Sequence, residues 1–209
     1  METITSPSSD LLTEDEISAL NYSDAPLIKV SPPGPNAAKI RSVQEKYETH
    51  TVKYMKYFPT AWESGKGGTL RDVDGNLFVD WTSGAGVMNV GYTNPEITDA
   101  MISQAKKLVH GLDVPTEGRA NFLIGFDSIL PEKLRGNSKI IFSITGSDAN
   151  EAAAKVSRYI RQKHTILTFE GAYHGMHSSA LAMSSVAPLQ RGISPFMSGV
   201  VRAPFAYCY

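Results

Sequence analysis

The sequence has few of the features that mark several large classes of protein. Its one cysteine, Cys208, excludes an internal disulfide bond, and no cysteine and histidine residues have the spacing of a metal site. With 20 basic and 21 acidic residues, no basic excess indicates nucleic-acid binding. No apolar run approaches the roughly 20 residues of a membrane-spanning helix, and residues 1–10 lack the apolar segment of a secretory signal. We therefore expect a globular protein of the reducing cytoplasm, with no nucleic-acid, membrane or metal partner.

Turn and capping residues predict a series of short elements in the amino-terminal half. Residues 1–12 are rich in serine, threonine and proline and are expected to be loose. After them the sequence predicts a helix from Thr13 to Leu20 opened by a capping box, a proline-rich connector at 31–35 and a helix from Asn36 to Glu48. Strands are predicted at 69–72 and 77–80, around an Asp74-Gly75 turn. Two more helices are predicted, one from Pro95 to about Leu108 and one begun by Thr116 and stopped by Pro131.

Residues 139–169 have the pattern of a βαβ unit. The apolar runs 139–144 (KIIFSI) and 165–169 (TILTF) are predicted to be buried strands, and the alanine-rich run 149–162 between them a helix. Strands joined in this way are parallel, with a right-handed crossover. A further strand is expected at 199–202. The predicted fold class is α/β, and because open parallel sheets bind ligands at the carboxyl edge of their strands, we expect a site there.

The first candidate site residues open the helix of this unit. Gly146-Ser147-Asp148 follow the first strand, where free N–H groups and the helix dipole favour a phosphate. Gly146 permits a close approach of the backbone, and the Ser147 hydroxyl can donate one further hydrogen bond. The alternative is simple capping of the helix by Ser147 or Asp148. The negative charge of Asp148 also opposes an anion at this position.

The second candidate is the loop at 171–175 (GAYHG), which follows the second strand. Tyr173 can stack on a flat heteroaromatic ligand; the alternative is a simple turn, with His174 in a structural role. Neighbouring strands lie about 4.8 Å apart, so the two loops are expected to converge. A flat ring that carries a phosphate, such as pyridoxal phosphate, meets both needs. A nucleotide is a further alternative, although neither of the glycine-rich nucleotide-binding fingerprints is present.

Four motifs give the sequence a resemblance to one enzyme family. Residues 145–153 (TGSDANEAA) and 173–175 (YHG) resemble the phosphate-binding turn and the aromatic-His-Gly segment of class-III pyridoxal-phosphate-dependent aminotransferases, the ornithine and 4-aminobutyrate kind. Residues 70–87 resemble the family's amino-terminal hairpin and substrate-side loop. Residues 91–96 (GYTNPE) resemble its Gly-His-x-His-Pro segment, with both histidines replaced. The resemblance extends from about Pro33 to the last residue.

The resemblance implies a fold, domains and site residues. The fold is a partial PLP-transferase fold of type I, with a flexible segment at 1–35, a small-domain portion with a hairpin at 36–110 and an incomplete large cofactor-binding α/β domain at 111–209. The family implies a homodimer that acts on an amino acid and a 2-oxo acid, and racemisation and decarboxylation remain alternatives to transamination. The implied cofactor-binding residues are Gly146, Ser147, Asp148, Tyr173 and His174, the last in a supporting role, and the implied substrate-side residues are Ser83, Gly84, Ala85 and Gly86.

The family's chemistry needs two residues for which the sequence offers no candidate. A lysine must form a Schiff base with the cofactor, and a carboxylate must face its pyridine nitrogen. No lysine follows Lys163, and no acidic residue follows Glu170. Lys163 is expected at the far end of the helix, and Lys155 is expected to pair with Glu151 and point away from the phosphate. We therefore expect an amino-terminal fragment that does not transaminate alone; the alternative is an inactive truncated homologue that acts as a binding or heterodimer partner.

Overall fold

The computed structural model describes residues 13–49, 58–193 and 196–207. The chain divides into two compact units, the first from Met1 to Val114 and the second from Pro115 to Tyr209. The loose segment predicted at residues 1–12 lies outside the described residues, as does Cys208. In the part of the chain that the structure describes, no helix combines the length and the apolar character needed to cross a membrane.

A three-stranded antiparallel sheet with strand order β1-β2-β3 organises the first unit. The predicted hairpin is confirmed, with Thr69 opposite Val79 across its two strands. The predicted capping box is confirmed as well, because the side chains of Thr13 and Glu16 each accept a hydrogen bond from the other residue's backbone N–H. The elements are α1 (Glu14–Ala19), α2 (Pro35–Tyr47), β1 (Trp62–Lys66), β2 (Thr69–Asp72), β3 (Leu77–Val79), α3 (Ser83–Gly86) and α4 (Pro95–Lys107).

Two buried polar residues, Asp72 and Asn76, close the hairpin; we call this pair the hairpin hub. Asp72 is 1% exposed and Asn76 is fully buried. The Asp72 carboxylate accepts four hydrogen bonds of 2.8–3.0 Å, from the N–H groups of Asp74 and Asn76, the Asn76 amide and the Thr60 hydroxyl. Burial raises the pKa of Asp72, but these hydrogen bonds outweigh it and hold the pKa below its ordinary value. Since the Asn76 side chain also bonds to backbone groups at 29–30, every side-chain polar atom of the hub is paired.

The second unit contains a parallel pair of strands, which extends from Ile166 opposite Val200 to Phe169 opposite Ala203. The predicted strands at 165–169 and 199–202 are thereby confirmed. The helix predicted at 149–162 is confirmed as well and begins three residues earlier, at Gly146. In β4 only Thr168 is buried, so this strand is more exposed than predicted. The Thr168 hydroxyl donates to the backbone of α7 at 2.9 Å, and the last four residues of α7 are buried. The elements are α5 (Glu117–Ser128), α6 (Gly146–Arg161), β4 (Ile166–Phe169), α7 (Ser178–Met183), α8 (Ala187–Gln190) and β5 (Val200–Ala203).

The prediction of a buried strand at 139–144 is wrong. These residues form no strand, and the side chains of Ile141, Phe142 and Ile144 are 60%, 43% and 96% exposed. The parallel partner of β4 is β5 instead. A strand forms only where a neighbour supplies its hydrogen bonds, and an apolar run does not by itself reveal such a neighbour. Within the described residues, no strand pairs with this run.

Candidate functional site

The start of α6 is capped by Thr145, whose Oγ1 accepts a hydrogen bond from the N–H of Asp148 at 3.2 Å. The alternative in which Ser147 or Asp148 caps the helix is therefore wrong, because the extended backbone of Thr145 already directs its hydroxyl to that N–H. No described residue accepts a hydrogen bond from the N–H of Gly146 or of Ser147. A Cβ atom at Gly146 would meet nothing within 4 Å. The helix thus begins with two unpaired N–H groups at an open surface, an arrangement that binds phosphate.

The Ser147 side chain is held by the loop that follows β4. Its Oγ accepts a hydrogen bond from the Met176 N–H at 2.9 Å, so the hydroxyl hydrogen remains available to donate to a ligand. Gly175 has a φ of 125°, and a Cβ atom there would collide with Ser147 Oγ. The glycine therefore allows the loop to approach the helix closely enough to fix this hydroxyl.

The aromatic loop, which we define as residues 171–176, lies against the start of α6. Besides the bond to Ser147, the Asn150 amide donates to the His174 carbonyl at 2.7 Å. The predicted convergence of the two loops is therefore confirmed, although it arises from contacts of α6 and not from neighbouring strands. The Tyr173 side chain is 60% exposed, so a flat ligand can reach its ring.

His174 anchors the aromatic loop to the interior of the second unit. Its N–H donates to Ser184 Oγ at 2.9 Å, and its Nε2 lies 3.2 Å from Thr168 Oγ1. Ser184 is fully buried, and Thr168 nearly so. Contacts of this kind are those expected of a structural histidine, the alternative for this residue, and the supporting role beside the tyrosine ring stays a prediction.

Asp148 faces a histidine of the following helix start. Its Oδ1 lies 3.1 Å from the Nδ1 of His177, the N-cap residue of α7, and both side chains are partly exposed. The carboxylate is thus engaged by the start of α7 and not by its own helix.

Glu151 links α6 to α7, a role that the sequence analysis missed. Its Oε1 accepts hydrogen bonds from the N–H groups of Ser179 and Ala180 at 2.5 and 3.0 Å. Burial raises the pKa of Glu151, but hydrogen bonds from Ser179 and Ala180 and the charge of Lys155 together lower it below its ordinary value. The predicted interaction with Lys155 thus contributes electrostatically, whereas the hydrogen bonds of the carboxylate go to α7. No spacing rule reveals a partner 28 residues away.

The predicted substrate-side residues, 83–86, form a short left-handed turn in the first unit. All four have positive φ, between 47° and 83°. The Asp80 carboxylate accepts hydrogen bonds from the N–H groups of Thr82 and Gly84 and from the Tyr92 hydroxyl at 2.7–2.8 Å. Hydrogen bonds, that from the Thr82 hydroxyl above all, lower the pKa of Asp80 to about 2 against the effect of burial. Asp80 and Tyr92, which the sequence analysis did not single out, therefore hold this turn in a conformation that non-glycine residues rarely adopt.

Comparison with known proteins identifies the family. The family model described as aminotransferase class-III matches residues 50–209. The chain belongs to the class-III aminotransferase family. It is 35% identical over 181 residues to an alanine/serine racemase of Pyrococcus horikoshii, a match that covers 86% of this chain and 38% of the racemase. It is 32% identical over 162 residues to a diaminobutyrate–2-oxoglutarate transaminase of Vibrio cholerae, with 76% of this chain and 39% of the transaminase covered.

Solved structures of transaminases share the fold of this class-III chain. A transaminase from the marine bacterium Virgibacillus aligns with a TM-score of 0.74 and 21% identity over 81% of this chain and 41% of its own. The ornithine aminotransferase of Toxoplasma gondii aligns with a TM-score of 0.68 and 19% identity, over 81% of this chain and 40% of its own. The fold is therefore the α/β fold of these enzymes in part, since the chain spans only 38–41% of the length of the relatives named here.

Pyridoxal phosphate is the cofactor of class-III aminotransferases, and the geometry at the start of α6 fits its chemistry. Two unpaired N–H groups and an oriented hydroxyl suit a phosphate dianion, and the open space beside Gly146 leaves room for it. The exposed ring of Tyr173 on the adjoining loop suits a flat pyridine. The second unit of this class-III chain thus brings two unpaired N–H groups, an oriented hydroxyl and an exposed aromatic ring onto adjoining segments.

Proposed function

We propose that the protein is a pyridoxal-phosphate-dependent aminotransferase that moves an amino group from an amino acid to a 2-oxo acid, and that this chain supplies its cofactor-binding residues. One observation carries the proposal. The open start of α6 and the tyrosine-bearing loop are joined by two hydrogen bonds, Met176 N–H to Ser147 Oγ and Asn150 Nδ2 to the His174 carbonyl. A ligand with a phosphate and an aromatic face can therefore engage both at once.

The phosphate is proposed to bind at Gly146 and Ser147. Their backbone N–H groups and the Ser147 hydroxyl donate to phosphate oxygens, and the helix dipole adds a favourable field. Asp148 stands next to this subsite, but its carboxylate is directed to His177 at the start of α7, 3.1 Å away. This orientation weakens the objection that an acidic residue opposes an anion here.

The pyridine ring is proposed to stack on Tyr173, while His174 holds the loop through Ser184 and Thr168. When bound, pyridoxal phosphate supplies a protonated, electron-withdrawing ring that stabilises negative charge at the substrate's α-carbon. The contribution of Tyr173 is to cover one face of the ring and exclude water from it. The contribution of His174 is to keep the backbone of the tyrosine fixed.

Residues Ser83, Gly84, Ala85 and Gly86 are proposed to border the substrate. Support comes from the resemblance of this segment to the family's substrate-side loop and from the turn itself, which four hydrogen bonds to Asp80 keep in one conformation. The relatives act on different amino acids, as their names state: alanine and serine for the racemase, diaminobutyrate for the transaminase. The proposed substrate class is therefore an amino acid, paired with a 2-oxo acid acceptor.

The proposal extends to the division of the chain and its assembly. We propose a small-domain portion at 36–110 and a cofactor-binding portion at 111–209, in a cytoplasmic homodimer. The family resemblance supports the division and the homodimer, and the single cysteine supports the reducing cytoplasm. Light scattering on a size-exclusion column tests the assembly: a dimer has twice the 22.7 kDa mass of one chain. Elution as a monomer at every concentration would contradict it.

The binding test uses three probes: pyridoxamine 5'-phosphate, pyridoxamine and inorganic phosphate. None of them contains an aldehyde, so none attaches covalently to lysine. We expect the first to bind more tightly than either fragment, and Ser147→Ala to weaken it about tenfold because one hydrogen bond to a charged oxygen is lost. Tyr173→Ala should weaken pyridoxamine 5'-phosphate and pyridoxamine but not phosphate. The measurement is the fluorescence of the pyridine ring, with phosphate measured by competition.

Two outcomes would overturn the proposed function. One is that pyridoxamine 5'-phosphate binds no more tightly than phosphate alone, which would leave the tyrosine ring without a role. The other is that adenosine 5'-monophosphate displaces it with equal affinity, which would make the start of α6 a general nucleotide site.

A further inference from the structure

We infer that Asn150 is a positioning residue that joins the two halves of the cofactor site, so that the phosphate subsite and the tyrosine ring bind as one unit. The inference rests on the proposed function. Asn150 itself contacts no ligand in it. Its part is to hold the aromatic loop at a fixed distance from the start of α6.

The geometry begins with the place of Asn150 on the helix. It follows Gly146 by four residues, or about one turn, so the two lie on the same face of α6. From there its Nδ2 donates to the carbonyl of His174 at 2.7 Å, across 24 residues of sequence. His174 follows Tyr173 directly, so the bond fixes the backbone next to the stacking ring.

The Asn150 bond differs from the other contacts of the aromatic loop in what it connects. His174 is tied by Ser184 to α7 and by Thr168 to β4, and these bonds set the loop relative to the interior. Among the described residues, only two hydrogen bonds join the loop to α6: the bond from Asn150 and the bond from Met176 to Ser147. Ser147 is also a proposed phosphate ligand, so Asn150 is the one of the two whose task is holding the loop alone.

A ligand that spans two subsites gains affinity only when both are held at the right separation. Once the phosphate is bound, the ring engages Tyr173 at a high effective concentration if the loop is fixed, and at a lower one if it moves. A ligand that fills only the phosphate subsite gains nothing from this link. Loss of the Asn150 bond should therefore weaken the whole cofactor while leaving its phosphate fragment unaffected.

The experiment compares Asn150→Ala and Asn150→Asp with the unmodified chain, using pyridoxamine 5'-phosphate and inorganic phosphate as probes. Alanine removes the donor, and aspartate keeps the shape but places an oxygen against the His174 carbonyl. We expect either variant to lower the affinity for pyridoxamine 5'-phosphate about tenfold, the effect of one lost hydrogen bond, while phosphate affinity changes less than about twofold. The two affinities are measured on the same preparations, and circular dichroism verifies that α6 is intact.

Gln162 provides a matched control at the opposite end of the same helix. Its side-chain amide also donates to a backbone carbonyl, that of Tyr159 at 2.6 Å. Gln162→Ala therefore removes a similar bond from α6 without touching the aromatic loop, and both affinities should stay as they are in the unmodified chain.

Three results would overturn the inference, and they separate it from the proposed function. If Asn150→Ala weakens both probes by the same factor, the residue serves only the folding of the helix. If both probes bind as before in Asn150→Ala and in Asn150→Asp, the bond has no part in the site. In either case the proposed function stands. If the unmodified chain itself fails to prefer pyridoxamine 5'-phosphate over phosphate, the proposed function fails first.

Discussion

The hairpin hub and the start of α6 are both polar clusters at a turn, but they differ in how completely they are satisfied. In the hub, the Asp72 and Asn76 side chains are buried and all their polar atoms are paired within the first unit. At the start of α6, the N–H groups of Gly146 and Ser147 have no partner among the described residues and face open space. The difference indicates that the first cluster stabilises the fold and that the second is available to a ligand.

The largest effect is expected from removing the Asp72 carboxylate, which accepts most of the hydrogen bonds within the hairpin hub. Asp72→Ala removes the acceptor of one Asn76 amide hydrogen, of two backbone N–H groups and of the Thr60 hydroxyl. We therefore expect the first unit to lose about 3 kcal/mol of its free energy of unfolding. Both tryptophans of the chain, Trp62 and Trp81, lie in the first unit, so their fluorescence during urea unfolding measures this change. A destabilisation below about 1 kcal/mol would contradict the role of the hub.

Asp74, in the same turn, provides a control for the substitution in the hub. Asp74 accepts hydrogen bonds from the N–H groups of Asn36 and Ala37 at the start of α2. Asp74→Ala should therefore cost about 1 kcal/mol, the usual effect of a lost cap. Neither variant should change the affinity for pyridoxamine 5'-phosphate more than about twofold, because the bonds that they remove all lie in the first unit.

The next largest effect is expected from a substitution that obstructs the start of α6. Gly175→Ala brings a methyl group into Ser147 and must displace the hydroxyl, so the affinity for pyridoxamine 5'-phosphate should fall on the order of 100-fold. Gly171 is the matched control: its φ of 79° is also positive, but a Cβ atom there meets nothing within 4 Å. Gly171→Ala thus introduces backbone strain alone, and equal losses in the two variants would assign the effect to strain and not to Ser147.

Local sequence signals predicted several helix starts and the hairpin, whereas contacts between distant residues were not predictable. Thr13 and Thr116 cap N–H groups three residues away, so their pattern is visible in a short window. The bonds from Asn150 to His174 and from Ser179 to Glu151 cross 24 and 28 residues, and only the folded chain brings their partners together. The same limit explains the missing strand at 139–144, whose pairing depends on a neighbour that the run itself does not specify.

A smaller effect is expected at the link between α6 and α7. Glu151→Gln should reduce the free energy of unfolding by about 1 kcal/mol at pH 7, because a neutral amide caps α7 less well than a carboxylate. The pKa of Glu151 is below its ordinary value of 4.5 in the folded chain, so its contribution is present above that pH and is lost as the pH falls through the folded pKa. Thermal unfolding followed by circular dichroism at pH 7 and below pH 4 measures the difference. A gap between variant and unmodified chain that stays constant over this range would contradict the linkage.

The smallest effect is expected in covalent labelling of lysine by pyridoxal phosphate. This experiment tests whether the chain forms a Schiff base with the cofactor as well as binding it. No lysine follows Lys163 in these 209 residues, and every lysine among the described residues is exposed. An exposed amine is free to move, so we expect none of these lysines to react with the aldehyde of pyridoxal phosphate in preference to the others. Reduction with borohydride should leave only scattered, substoichiometric labelling, read by peptide mass spectrometry. One lysine labelled in every molecule, and protected by excess phosphate, would mean that these residues carry the covalent step as well as the binding of the cofactor.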